Sequence, residues 1–164
     1  MKAERKYLAH YLDSNWNAES GMTDYVRIGK NLEEFSIELN PDVTVTKNIL
    51  GENSVQHGGY EVSADASPVY YEYNDSLTQK ILEFAMGRKT GDACRTTYVE
   101  VLLQPNGENK PTVIGAYRED VYVIPNSYGG DTSGLQVPFT LHFAGNRVPG
   151  DFDLESNEFL QDPI

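Results

Sequence analysis

The sequence predicts a mainly β fold: an antiparallel β-sandwich or barrel with one flanking α-helix and a long projecting hairpin or loop. Three observations predict it. Short runs rich in Val, Ile, Thr and Tyr recur at intervals of about 8 to 12 residues and end in Gly, Asn, Asp or Pro, as strands joined by tight turns do. A single window, after Asn74-Asp75-Ser76, places apolar residues at three- and four-residue spacing. Finally, the stretch from Val43 to Ala66 opens and closes as strand around an unusually long connection.

Taken in order, Lys2, Arg5 and Lys6 precede an apolar run, Tyr7 to Leu12, that is broken by His10 and closed by Asp13. The run alternates as a strand does and is too short for the apolar region of a signal peptide or for a membrane span, so the chain is expected to be soluble and unexported by itself. Strand candidates follow at Tyr25 to Ile28, Phe35 to Leu39, Val43 to Ile49, Tyr60 to Ala66 and Val69 to Tyr73. The helix, about residues 75–87, is capped by the oxygens of Asn74-Asp75-Ser76 and ended by Gly87 and Gly91. Its stripe of Leu77, Ile81, Leu82 and Ala85 is worth burying at roughly 1.5–3 kcal/mol per large side chain. Longer strands run from Tyr98 to Leu103, ending at Gln104-Pro105-Asn106-Gly107, from Thr112 to Ile124, and from Leu135 to Phe143. No Pro/Ser linker or repeat divides the 164 residues, which form one domain, 1–164.

The segment from Val43 to Ala66, read as a projecting hairpin or loop, carries Asn48, Ile49, Leu50, Val55 and His57 between its strand-like ends. Connections beyond about a dozen residues are uncommon and usually functional, and apolar residues on an arm need cover. Two coverings are open: the arm folds back on its own domain, or it inserts into a neighbouring subunit. The five residues named are the candidates for such a self-assembly arm.

Charge narrows the partners. With 25 acidic against 13 basic residues the formal net charge is -12, which argues against a groove that grips nucleic acid and against docking on anionic lipid. At 39% hydrophobic and 11% aromatic the chain is richer in core-formers than a disordered acidic segment. The lone Cys94 excludes an intrachain disulfide and any two-cysteine metal motif, and reads as an inert buried thiol in a reducing compartment.

No catalytic chemistry emerges. Gly129-Gly130-Asp131-Thr132-Ser133-Gly134 approaches the setting of a serine-protease nucleophile, but Thr132 shifts the serine and none of His10, His57 or His142 has the setting of a tuned base; it reads as a turn. Asp151-Phe152-Asp153-Leu154-Glu155 aligns three carboxylates on one side of a strand, which suits a solvated face better than Ca2+ ligation. Tyr70, Tyr71 and Tyr73 offer a possible sugar-stacking cluster, and Trp16, on a polar segment through Asn17, reads as core or subunit contact. G-x-G-x-x-G, Walker A and H-E-x-x-H motifs are missing from the sequence. No enzyme activity, cofactor or metal is expected.

The chain resembles, nearly end to end, the major tail tube proteins of siphophages and prophages of Gram-positive bacteria. The resemblance rests on Lys6-Tyr7-Leu8-Ala9-His10, on the block from Tyr25-Val26-Arg27-Ile28-Gly29-Lys30-Asn31-Leu32 to Glu33-Glu34, and on Leu39-Asn40-Pro41-Asp42-Val43 leading into Lys47-Asn48-Ile49-Leu50-Gly51-Glu52. It continues with Thr90-Gly91-Asp92-Ala93-Cys94, Tyr117-Arg118-Glu119-Asp120, Gly130 to Gly134 with Gln136, Pro138 and Phe139, and Gly145-Asn146-Arg147 to Phe152-Asp153-Leu154.

The resemblance implies a β-sandwich or barrel with one flanking helix that assembles into hexameric rings, which stack into the hollow tube of a virion tail. It implies as partners other copies of the chain and other phage tail proteins, assembly in the host cytoplasm, no membrane, and DNA that passes through without specific binding. The expected long arm reaches adjacent subunits, and the 43–66 segment looks like it. A different class of reading is a small β-sandwich module that binds carbohydrate or Ca2+ through the tyrosines or the Asp151 to Glu155 carboxylates.

Overall fold

The computed structural model describes residues 1–16, 22–30, 32 and 34–162; Asn17, Asn31 and Glu33 of the motifs above lie outside the described residues. In chain order the strands are β1 (Leu8–Asp13), β2 (Tyr25–Ile28), β3 (Ile37–Glu38), β4 (Pro41–Lys47), β5 (Asn53–Tyr60) and β6 (Ser63–Ala66). After the helix α1 (Ser76–Met86) come β7 (Arg95–Asn106), β8 (Asn109–Pro125), β9 (Gly129–Asp131), β10 (Gly134–Gln136), β11 (Phe139–Phe143), β12 (Val148–Asp153) and β13 (Glu158–Gln161). The large sheet is antiparallel, in the order β2-β1-β7-β8-β11-β6-β3, with the β12–β13 hairpin also bonded to β8. The pairs β4–β5 and β9–β10 are separate two-stranded sheets.

The axis of this sheet is the hairpin of β7 and β8, closed by a two-residue turn in which Gly107 takes a φ of +60, a conformation glycine enters freely. Along its other edge β8 pairs with β12 at Ala116 to Arg118 and with β11 at Val121 to Pro125. Both faces of the sheet are covered. Leu12, Tyr98, Val121, Val123 and Leu141 pack with Leu77 and Ile81 of α1, while Ala9, Tyr11, Val99, Val101 and Ala116 pack with Phe152 from the β12–β13 hairpin. One extra residue on β8, Ile114, shifts the register between the Leu102↔Gly115 and Leu103↔Val113 pairs. This bulge lets Val113 and Ala116, three apart, reach the same cluster.

The helix begins and ends where its capping residues require. Asp75 accepts a hydrogen bond from the Leu77 amide at 3.0 Å, and Gly87 closes the last turn. Trp16 packs edge-on to Phe84 of this helix, with ring centroids 5.0 Å apart, and so belongs to the core rather than to a contact surface. The loop after β11 is tied across β8: Asn146 bonds both the amide and the carboxylate of Asp120, each at 2.9 Å, and Arg147 lies 3.6 Å from the buried carboxylate of Glu119.

The ladder departs from the sequence expectation in three places. Val69 to Tyr73 is no strand; Tyr70 makes only an isolated bridge to Gln136. The expected strand Tyr60 to Ala66 is two strands, Tyr60 ending β5 and Ser63–Ala66 joining the main sheet. Leu135 to Phe143 is interrupted at Val137-Pro138, where proline has no amide to offer a ladder.

His10 is a buried polar group of this core. Its Nε2 lies 2.8 Å from Nη2 of Arg5, and its Nδ1 contacts the Tyr98 hydroxyl. A guanidinium only donates, so Nε2 accepts and Nδ1–H donates to the Tyr98 oxygen, an arrangement that requires the neutral ring. Burial, reinforced by the charges of Arg5 and Arg27, lowers the His10 pKa to about 4. The unfolded chain therefore binds the extra proton first, and stability is full above about pH 6.5 and lost as pH falls toward 4. Urea denaturation is expected to show about 2 kcal/mol less stability at pH 5 than at pH 7 from this group, and the difference should vanish in His10→Gln. Asp13, whose carboxyl burial pushes up, acts with the opposite sign in both proteins, so the comparison isolates His10.

Candidate assembly surface

At the edge of the sheet β3 and β6 pair through Ile37↔Ala64 and Glu38↔Ser63, and the chain between them leaves the domain as a ribbon. Asn40 clamps the exit: at a φ of +44, which asparagine tolerates better than most residues, its Nδ2 donates to the Glu61 carbonyl at 2.9 Å. Beyond this clamp β4 and β5 pair from Pro41↔Tyr60 to Lys47↔Asn53. Gly58 is the extra residue of a bulge; a Cβ there would meet the Asp42 carboxylate at 2.7 Å.

The tip is built around Asn48. Its Oδ1 accepts from the amides of Leu50 at 2.9 Å and Glu52 at 3.0 Å, its carbonyl accepts from the Gly51 amide at 3.0 Å, and its own amide donates to the Glu52 carbonyl at 3.0 Å. Gly51 supplies the left-handed step, at a φ of +80. This ordered turn displays two apolar side chains to solvent, Ile49 fully and Leu50 at 76%.

Because side chains alternate along paired strands, the register sorts the arm into two faces. Thr44 and Thr46 lie with Gln56 and Ser54 on a polar face. The other face carries Val45 opposite Val55, Val43 opposite His57, and Pro41 opposite Tyr60, with the His57 and Tyr60 rings edge-on at 4.6 Å. Val45 and Val55 remain 62% and 66% exposed. A lone two-stranded hairpin is marginal in water, and each large apolar side chain left out forgoes roughly 1.5–3 kcal/mol. Both edges of the ribbon also present unpaired backbone groups.

The five candidate arm residues thus lie on one ribbon, Asn48, Ile49 and Leu50 at its tip and Val55 and His57 on its apolar face. The expected connection 48–59 is shorter, however: β5 occupies 53–60, and the true tip is 48–52. Val43, Val45 and Tyr60 complete the face. The period-two match of Val43 and Val45 with Val55 and His57 is the signal that marks them in the sequence.

The remaining candidate chemistry is dispersed. Asp131 accepts from the Ser133 amide at 2.8 Å in the β9–β10 turn. Asp153 accepts from the Glu155 amide at 2.9 Å, which holds its carboxyl below the usual range, and Glu155 lies 3.3 Å from Lys110. Tyr71 and Tyr73 meet edge-on at 5.4 Å, but only Tyr73 is exposed. Cys94 is buried with its thiol pushed up by burial. Among the described residues no group of three or more His, Cys, Asp or Glu converges on a metal position, and no helix is long and apolar enough to cross a membrane. The sequence matches no protein-family model and no curated protein.

Since the arm is held to the domain by its root, its removal leaves both core clusters intact. Replacing residues 42–59 by Asn-Gly is expected to leave the near-ultraviolet circular dichroism unchanged and to move Tm by no more than a few degrees; a large loss of Tm would show that the arm packs on its own domain.

Proposed function

We propose that this chain is a structural subunit of a phage tail tube, assembling with copies of itself into stacked six-membered rings and catalysing no reaction. The observation that carries the reading is the ordered arm whose apolar face and tip have no cover among the described residues. A second copy supplies that cover. Closed rings need head-to-tail contacts and stacked rings need further ones, so each subunit must present several unlike patches. The arm is one, and its unpaired edges allow a neighbour's strand to extend the ribbon. The mainly β architecture with one helix is what the tail-tube resemblance implies.

Charge fits the same reading. A six-membered ring multiplies a formal -12 sixfold, and acids facing a channel repel DNA phosphates instead of holding them. Duplex DNA then passes without specific binding. The other partners in this reading are the tail proteins at the ends of the tube, and the place of action is the virion tail after assembly in the host cytoplasm.

Negative-stain electron microscopy and sedimentation velocity at rising protein concentration test it. Rings or tubes are expected from the wild-type chain, whereas Ile49→Asp/Leu50→Asp should stay monomeric with an unchanged Tm because both side chains point into solvent. A wild-type chain that remains monomeric at every concentration would overturn the proposal.

A further inference from the structure

A cluster of basic residues in this acidic chain lies away from the arm. A cleft of about 550 Å3 between the N-terminal turn, the end of β2 and Leu32, Glu34 and Phe35 is lined by Arg5, Lys6, Arg27 and Lys30, and Glu34 is the one acidic lining residue among the described residues. Four of the chain's 13 basic residues therefore meet at one place.

The two arginines are fixed by the backbone. Arg5 donates to the carbonyls of Leu8 at 2.8 Å and Phe35 at 2.7 Å, and Arg27 donates to the Lys6 carbonyl at 2.7 Å. A guanidinium has five N–H donors, so both keep donors to spare. Among the described residues neither arginine has a carboxylate within ion-pair distance. The lysine pairs present, Lys6 with Glu4 at 3.3 Å and Lys30 with Glu72 at 4.0 Å, are exposed and worth little.

At the other end of the chain the charge is reversed. After Arg147 there are five acidic residues and no Lys or Arg. In the β12–β13 hairpin Phe152 and Phe159 pair and face the core, so alternation turns Asp151, Asp153 and Glu158 outward. Among the described residues no cation lies within ion-pair distance of these three. Cleft and hairpin face are thus two unlike, complementary patches: the cleft's two lysines have exposed partners but its arginines keep spare donors, and Lys110 acts on Asp153 only from beyond ion-pair distance.

We propose that the cleft receives the acidic outer face of the C-terminal hairpin, Asp151, Asp153 and Glu158, of a neighbouring copy, a pairing that rests on the ring reading above. Subunits of -12 repel one another, and opposite charges that meet at an interface offset part of that repulsion and fix its register. The apolar arm has no sign and cannot set this register; the charged patches can.

Charge reversal in the full-length chain tests the pairing by sedimentation velocity and electron microscopy. Arg27→Glu/Lys30→Glu and Asp151→Lys/Asp153→Lys should each raise the concentration needed for assembly about tenfold or more, and the variant carrying all four changes should recover it, because the pair is restored with its signs exchanged. Unaltered circular dichroism checks that each variant folds. A fourfold variant no better than either double variant overturns the pairing, as does either double variant that assembles like wild type. Inorganic phosphate that raises the wild-type Tm but not that of Arg27→Glu/Lys30→Glu would assign the cleft to a small anion and overturn it too. A wild-type chain that never assembles overturns the ring reading itself, a result distinct from these.

Discussion

The structure depends on the pairing of β7 with β8. Strand β8, at 17 residues, contributes to both core clusters: Val121 and Val123 on the helix side, Ala116 on the other. Because both faces of this hairpin are buried, its neighbours are compelled to cover it. Helix α1 closes one side and the β12–β13 hairpin the other, and side-chain alternation along β8 lets one strand present apolar side chains to both. The arm is anchored through the same spine, since β3 pairs with β6, β6 with β11 and β11 with β8. A load on the arm would pass through ladder hydrogen bonds into the core.

This dependence explains which parts are legible in the sequence. Helix α1 is, because its cap at Asp75, its stripe and its closing Gly87 are local and agree with one another. Strand β2 is for a similar reason, and the arm's position follows from the strand-like ends of the 43–66 segment, although the connection itself is only the tip 48–52. Strand β5 is not legible as strand: Asn53, Ser54, Gly58 and Gly59 are poor strand formers, and only pairing with β4 makes them extended. Val69 to Tyr73 errs in the other direction, with strong propensity but only a single bridge, Tyr70 to Gln136, in the fold. The basic cleft escapes sequence reasoning because Arg5 and Lys6 meet Arg27 and Lys30 only when β1 pairs with β2.

The buried His10 links the cleft to the core. The same Arg5 that lines the cleft donates to the imidazole and, with Arg27, disfavours its protonation. The two guanidinium charges of the cleft are thus held in place, Arg5 by a neutral, buried ring and both arginines by backbone carbonyls. Fixed charges discriminate by geometry, and an acidic face held on a second rigid hairpin matches such a site better than a flexible acidic tail would.

The arm and the charged patches would divide the work of assembly according to their physics. Apolar burial is strong and without direction, so an arm of Val43, Val45, Val55, Ile49 and Leu50 supplies affinity to any surface that excludes water. Left free, such a ribbon is only marginally ordered, and docking must then bear the entropy of ordering it. The hydrogen bonds around Asn48 reduce that cost by fixing the tip before contact, which concentrates the ordering penalty in the strands. Charge pairing is weaker in net energy but directional, and it penalises the wrong neighbour. An acidic chain that relied on its apolar arm alone would associate without register; one that relied on charge alone would be dispersed by salt. In the proposed assembly, both devices on one subunit would let copies that repel one another at a distance close in a single orientation.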